Sequence, residues 1–358
     1  MNLFDPLSFK SGAVMPNRFM LAPLTNLQSH DDGQLSDEEY KWLSMRSQGG
    51  FGLTMTCAAF AEIGGKGFVG QLGAVGEAHF DGLKRMADGI KEHGNLAILQ
   101  IVHGGMRTLE KFTGQQPVCP SDNEETGARA MTHDEVKATH KAFVDAAILA
   151  QKAGFDGVEL HGAHGYLLCQ FLSSEINKRD DEYGGSLENR TRLIDEIIRD
   201  IRAACGYQFT LGLRLSPSRF GMVIEEVMQY YERLCAEDQL DFIDMSLWDV
   251  FEEVDEGSQK GRRLIDIFTS LERGNTKLTA AGKINTGADV LAVMQAGADF
   301  VALGRAGIIH HDYPKRFQAD AAFQPLANPV SRAHLAAEGL GPTFIEYMST
   351  WKGFVEPA

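Results

Sequence analysis

The chain alternates short apolar runs with helical stretches along most of its length, and this alternation limits the fold more than any other feature. Apolar runs lie at 18–22 (RFMLA), 52–58 (GLTMTCA), 96–103 (LAILQIVH), 157–161 (GVELH), 209–215, 242–247, 277–281 and 300–303, each followed by a stretch with helical punctuation. The runs lack two-residue alternation, so both faces are expected to be covered, as in a parallel sheet sheathed by helices. Ser36 with Glu39 and Thr132 with Glu135 have capping-box spacing, with Leu35/Tyr40 and Met131/Val136 placed as hydrophobic staples. About eight strand–helix units in ~300 residues is the amount a closed (β/α)8 TIM barrel of the α/β class requires. The expectation is one barrel domain over 1–324 and a C-terminal extension over 325–358, packed on the barrel or on a neighbouring subunit. A doubly wound open sheet is the alternative, but it would carry a glycine fingerprint after its first strand. Here Gly49-Gly50-Phe51-Gly52 leads into a strand instead.

Composition excludes several classes of function. A chain of 358 residues with 44% hydrophobic content buries a large core. The formal charge of −15, with no basic cluster, argues against a nucleic-acid partner. No segment approaches ~18 uninterrupted apolar residues, and the N-terminus MNLFDPLSFKSG lacks a signal-peptide pattern, so no membrane partner and a cytoplasmic location are expected. Cys57, Cys119, Cys169, Cys205 and Cys235 have no spacing suited to zinc or an iron–sulfur cluster and are expected to be reduced thiols. A homo-oligomer is compatible with all of this.

A barrel brings its strand ends to one rim, and that rim is where such folds keep their chemistry. The ends offer Pro23-Leu24-Thr25, Ala58, Gln100, His103, His161, His164, Tyr166, Arg214, Trp248, Gly282-Lys283 and Gly304-Arg305. This set shows no paired carboxylates and no nucleophile with an obvious base. Gly282 and Gly304, each followed by a base, suit a phosphate held at the seventh and eighth strands, although each alone is explained by a tight turn. Gln100 and Arg214 sit in apolar strands and need partners, supplied either by core hydrogen bonds or by a polar cofactor ring. His161 and His164 lack a third ligand for a metal, so no metal site is expected. Both could instead donate hydrogen bonds to a carbonyl oxygen, with Tyr166 as a proton donor or as a partly buried ring with a bonded hydroxyl.

The stretch HGAHGYLLCQFLSSEINKRDDEYGGSLENRTRL closely resembles the signature of the old yellow enzyme family, flavin ene-reductases on a (β/α)8 barrel. The likeness runs in order from NRFMLAPLT at Asn17 to ALGR at Ala302. It implies tightly but non-covalently bound FMN, NADH or NADPH as hydride donor, and an activated alkene as the small-molecule partner. By position, the resemblance places Pro23, Leu24, Thr25, Ala58, Gln100, His161 and Arg214 against the flavin ring. Gly282, Lys283, Gly304 and Arg305 fall at its phosphate. His161 and His164 match the pair that holds the substrate oxygen, Tyr166 the proton donor, and Leu27 and Trp248 the substrate pocket. Two departures stand out: His103-Gly104-Gly105 is followed by Met106, displacing Arg107 by one, and Leu27 replaces an aromatic residue of some relatives. A flavin barrel of different chemistry (amine or hydroxy-acid oxidation, or demethylation) and a non-catalytic flavin binder are the competing readings. The acidic stretch Asp249 to Gly257 is either a mobile cover or a solvated charge run.

Overall fold

The computed structural model describes residues 2–357. Eight strands close the barrel, with the two-residue strand Ala59–Phe60 added beside the third: β1 (Phe19–Leu21), β2 (Leu53–Met55), β3 (Leu96–Val102), β4 (Gly157–Gly162), β5 (Thr210–Leu215), β6 (Phe242–Ser246), β7 (Lys277–Ala281) and β8 (Phe300–Leu303). Every neighbouring pair is parallel, β8 pairs with β1, and β2 pairs with β3, so the sheet closes on itself. The strands are buried almost throughout, which explains the continuous apolar runs. Helices follow each strand, including α1 (Asp37–Gln48), α2 (Glu77–Lys91), α3 (His133–Ala153), α4 (Leu187–Cys205), α5 (Ile224–Glu237), α6 (Leu264–Thr269), α7 (Gly287–Gln295) and α8 (Arg305–Ile309). Among the described residues no helix is long and apolar enough to cross a membrane, and all five cysteines are buried free thiols.

The caps show which local signals operate. Thr132 and Glu135 form the full reciprocal capping box at α3. Thr286 and Asp289 form another at α7, where Asp stands in for the usual Glu. Ser36 accepts from the Glu39 N–H as expected, but the Glu39 carboxylate does not reach back. It is fully buried and takes hydrogen bonds from Asn26, Ser29 and Cys57, tying α1 to the segments that leave β1 and β2. The apparent capping box is thus half a cap and half a tertiary anchor.

The N-terminal lead is more than a tail. Leu7–Ser8 and Val14–Met15 pair as an antiparallel hairpin that plugs the floor of the barrel, with Phe9 against Phe242 and Phe300 at 5.7 and 5.8 Å between centroids. Gly212 makes room for Phe242: a Cβ there would stand 2.2 Å from the ring. The opposite end stays open.

Residues beyond 324 fold back on the same chain. Phe344 packs edge-on against Trp42 at 5.2 Å, and the buried Arg46 donates to the carbonyls of Trp42, Gly307, Ile308 and Glu338. His310, His334 and Glu338 bring side-chain atoms within 4.8 Å of one another. Hydrogen bonds already occupy them: His310 Nε2 accepts from the Leu326 N–H, His334 donates to the Ile309 carbonyl, and Glu338 holds His311. With Nε2 accepting, neutral His310 carries its proton on Nδ1 and cannot ligate a metal there without becoming an anion. The cluster acts as a clasp for the C-terminal segment.

Candidate active site

A cavity of about 200 Å³ opens at the C-terminal ends of the strands. Nine residues singled out from the sequence line it: Pro23, Leu24, His164, Arg214, Trp248, Gly282, Lys283, Gly304 and Arg305. The others are off its lining: Thr25 and Leu27 follow Leu24 on the β1 loop and are half-buried, the Ala58 carbonyl accepts from Gln71, Gln100 turns to Glu159, and His161 and Tyr166 reach the cavity through His164.

The histidine pair is a hydrogen-bonded relay. The Ala163 N–H donates to His161 Nδ1 (3.2 Å), which places the His161 proton on Nε2. That proton points at His164 Nδ1 (3.2 Å), so His164 carries its own on Nε2 and donates it to Ser246 Oγ at 2.6 Å. Burial, reinforced by His164, Arg214 and Arg107, holds His161 well below the ordinary histidine range. Burial with Arg214 and Arg107 brings His164 down to about 3. Both rings are therefore neutral at physiological pH, each with one N–H to give.

Tyr166 stands at the N-cap position of a short helix, Leu167–Leu172, without a side-chain capping bond. Its ring stands edge-on to His161 at 4.9 Å. Arg107 lies over the other face at 4.9 Å and donates to the His164 carbonyl. The displaced arginine thus belongs to the site, and no spacing rule would have placed it there. Burial raises the Tyr166 phenol above its ordinary range while Arg107 works against the rise.

Below the strand ends, the floor holds two carboxylates that the strand-end set did not include. Glu159 on β4 and Asp244 on β6 are both fully buried inside the barrel. Gln100 donates to Glu159 Oε1 at 2.6 Å, and Arg214 Nε stands 3.2 Å from Asp244 Oδ2. The partners that Gln100 and Arg214 required are thus protein groups on the inner side. Arg214 also lines the cavity, its Nη2 donating to Ser246 Oγ at 3.4 Å. The signal was available: Glu159 precedes His161 by two residues, and Asp244 precedes Ser246 by two, so each shares its neighbour's face of the strand.

The anion-type end needs one amendment. A Cβ on Gly282 would meet the Trp248–Asp249 backbone at 2.9–3.1 Å, whereas one on Gly304 would have only a Leu24 carbon, at 3.5 Å. Gly282 is needed for a close backbone approach, and Gly304 leaves an open cradle at the start of α8. Lys283 does not stand free: its ammonium pairs with Asp249 at 3.0 Å. Arg305 lies over Trp351 at 5.7 Å, and Trp351, from the C-terminal segment, closes one wall. The acidic stretch is tied down at its base, Val250 donating to the Gly282 carbonyl and Ile265 to that of Val250. Leu27, His164, Trp248 and Lys283 all hold left-handed backbone, a strain of ~1–3 kcal/mol each that folded proteins concentrate at functional sites.

Apolar walls, a cation on the floor and two bases beside an open glycine suit a flat, heteroatom-rich ring with a phosphate tail. Comparison with known proteins agrees. Residues 2–324 match the model of the NADH:flavin oxidoreductase / NADH oxidase family, and the chain belongs to that family, the old yellow enzyme group of FMN-dependent, NAD(P)H-using oxidoreductases. It is 36% identical over 314 residues to the probable NADH-dependent flavin oxidoreductase YqiG of Bacillus subtilis (strain 168), covering 85% of this chain and 84% of that one. It is 30% identical to the NADH:fumarate oxidoreductase of Klebsiella pneumoniae (strain 342), over 93% of this chain but only 38% of that much longer protein. The old yellow enzyme homologue of Zymomonas mobilis superposes with a TM-score of 0.80 at 27% identity, covering 97% of this chain and 99% of that one.

Proposed function

We propose that the protein reduces the C=C bond of α,β-unsaturated carbonyl or nitro compounds, with His161 and His164 binding the substrate oxygen and Tyr166 as the proton donor. The observation that carries this reading is the pair of neutral histidines beside a protonated tyrosine, above a cavity with a cationic floor. Pro23, Leu24, Thr25, Ala58, Gln100 and Arg214 would hold FMN at the ring and Gly282, Lys283, Gly304 and Arg305 at the phosphate, and the bound flavin would supply hydride drawn from NADH or NADPH. A substrate oxygen entering beside the rings takes the His161 Nε2–H in place of His164 Nδ1. His164 turns its own N–H from Ser246 to the same oxygen, so the exchange replaces hydrogen bonds already made rather than stranding donors. Two N–H groups on one oxygen draw electron density from the conjugated β-carbon. The phenol of Tyr166 delivers the proton to the α-carbon. Leu27 and Trp248 bound the space left for the substrate.

The test is anaerobic. Protein reduced with NADH or NADPH and then mixed with cyclohexenone is expected to regain its oxidised flavin absorbance, with saturated cyclohexanone as product. Failure to reoxidise with cyclohexenone, a nitroalkene and a maleimide alike overturns the proposal.

A further inference from the structure

The Glu159–Asp244 pair is not used in the chemistry above, yet it lies directly beneath it. Strand register sets the order: Gln100 faces Glu159, His161 faces Arg214, Arg214 faces Asp244, and Asp244 faces Thr279. Asp244 thus sits beside the Arg214 guanidinium, and Glu159, which faces Gly212, lies one inward-facing position below His161 in the same buried layer, with His161 and His164 above it. Gln100 satisfies one oxygen of Glu159 and leaves Oε2 without a partner, and the Asp244 oxygens face Arg214 without a well-directed hydrogen bond. If both carboxylates were ionised, one buried negative charge would stand uncompensated, at a cost of several kcal/mol. Retaining one proton brings the layer to neutrality. The two sites are unequal: Asp244 has the guanidinium at 3.2 Å, while Glu159 has only an amide. Burial and the charge of Asp244 push Glu159 far above the ordinary carboxylate range against the pull of Arg214 and Gln100; burial raises Asp244 too, and Arg214 opposes that rise.

We propose that Asp244 and Glu159 are positioning residues that share a single proton, carried by Glu159, and thereby set how much of the positive charge of Arg214 reaches the flavin ring. Arg214 turns one side to Asp244 and the other to the cavity, so the charge of Asp244 attenuates the field at the cavity floor. The inference rests on FMN occupying this cavity and not on which alkene is reduced.

The measurement is the midpoint potential of bound FMN at pH 7, by anaerobic titration against a reference dye. Asp244→Asn unmasks Arg214 and is expected to favour the reduced flavin by tenfold or more, about 30 mV for a two-electron couple. Glu159→Gln, which replaces a neutral group by a neutral group, is expected to shift the equilibrium by less than about threefold. Asp244→Glu restores the charge and is expected to return the potential towards that of the parent protein. Equal shifts in Asp244→Asn and Glu159→Gln, or none in either, overturn the proposal. Infrared spectra of the holoenzyme decide the matter if Asp244→Asn does not fold. The parent protein should show the carbonyl stretch of a buried protonated carboxylic acid, and Glu159→Gln should lack it. Absence of that band in the parent, or its survival in Glu159→Gln, also overturns the proposal. Neither readout involves an alkene, so failure here is distinguishable from failure of the ene-reductase reading.

Discussion

Arg107 covers one face of the Tyr166 ring, 4.9 Å from its centroid, and the same guanidinium donates to the backbone carbonyl of His164. One exposed cation thus holds the backbone of His164 and opposes the rise that burial imposes on the Tyr166 phenol. Tyr166→Phe is expected to slow flavin reoxidation by cyclohexenone by roughly 10²–10⁴-fold. Reduction by NAD(P)H should stay nearly unchanged in stopped-flow traces. Equal losses in both half-reactions would show that Tyr166 does not act as the acid. Arg107→Ala is expected to act in the same half-reaction by about two- to fivefold, the equivalent of ~0.5–1 kcal/mol.

Burial keeps the Tyr166 phenol above its usual range, so its proton is in place throughout physiological pH. The alkene half-reaction should be flat from pH 6 to pH 9, and should decline only beyond the ordinary tyrosine range. A break near pH 7 would point to a histidine as the group that titrates.

Stability should carry the mark of the buried histidines in the opposite direction. His164 is held down at about 3 in the fold and titrates near 6.5 when unfolded, so between those values the unfolded chain binds the extra proton. Its contribution is intact above about pH 6.5 and is lost as pH falls towards 3, with a slope of about 1.4 kcal/mol per pH unit. Urea denaturation at pH 7 and pH 5 should therefore show a smaller loss in His164→Asn than in the parent protein.

The Lys283–Asp249 pair predicts how phosphate is recognised. Lys283→Gln is expected to weaken FMN binding by on the order of tenfold while leaving riboflavin binding little changed. Asp249→Asn releases the ammonium and should strengthen FMN binding, most at low salt. Fluorescence titration of apoprotein with the two flavins checks both, and equal effects on riboflavin would remove Lys283 from the phosphate site.

Trp351 enters the cavity wall from the C-terminal segment, where Arg305 stacks on it. Trp351→Ala is expected to weaken FMN binding by about two- to fivefold through the lost stacking, ~0.5–1 kcal/mol. The same flavin titration measures it.

What the sequence determined by itself was local and periodic. Apolar runs too continuous for an open face marked the eight strands, Thr132 and Glu135 marked a helix start, and the order of strand ends put His161, His164, Tyr166, Arg214, Gly282 and Gly304 on one rim. These readings depend on neighbours within a few residues, where backbone geometry leaves few choices. Tertiary structure alone decided the rest. Glu39 trades a cap for a buried anchor because Asn26, Ser29 and Cys57 arrive from other segments. Lys283 meets Asp249, and Arg107 meets Tyr166, across 34 and 59 positions of chain. Glu159, Arg214 and Asp244 share one layer only because barrel closure turns alternate residues of successive strands into a single buried interior, where a charge must find its partner or keep its proton.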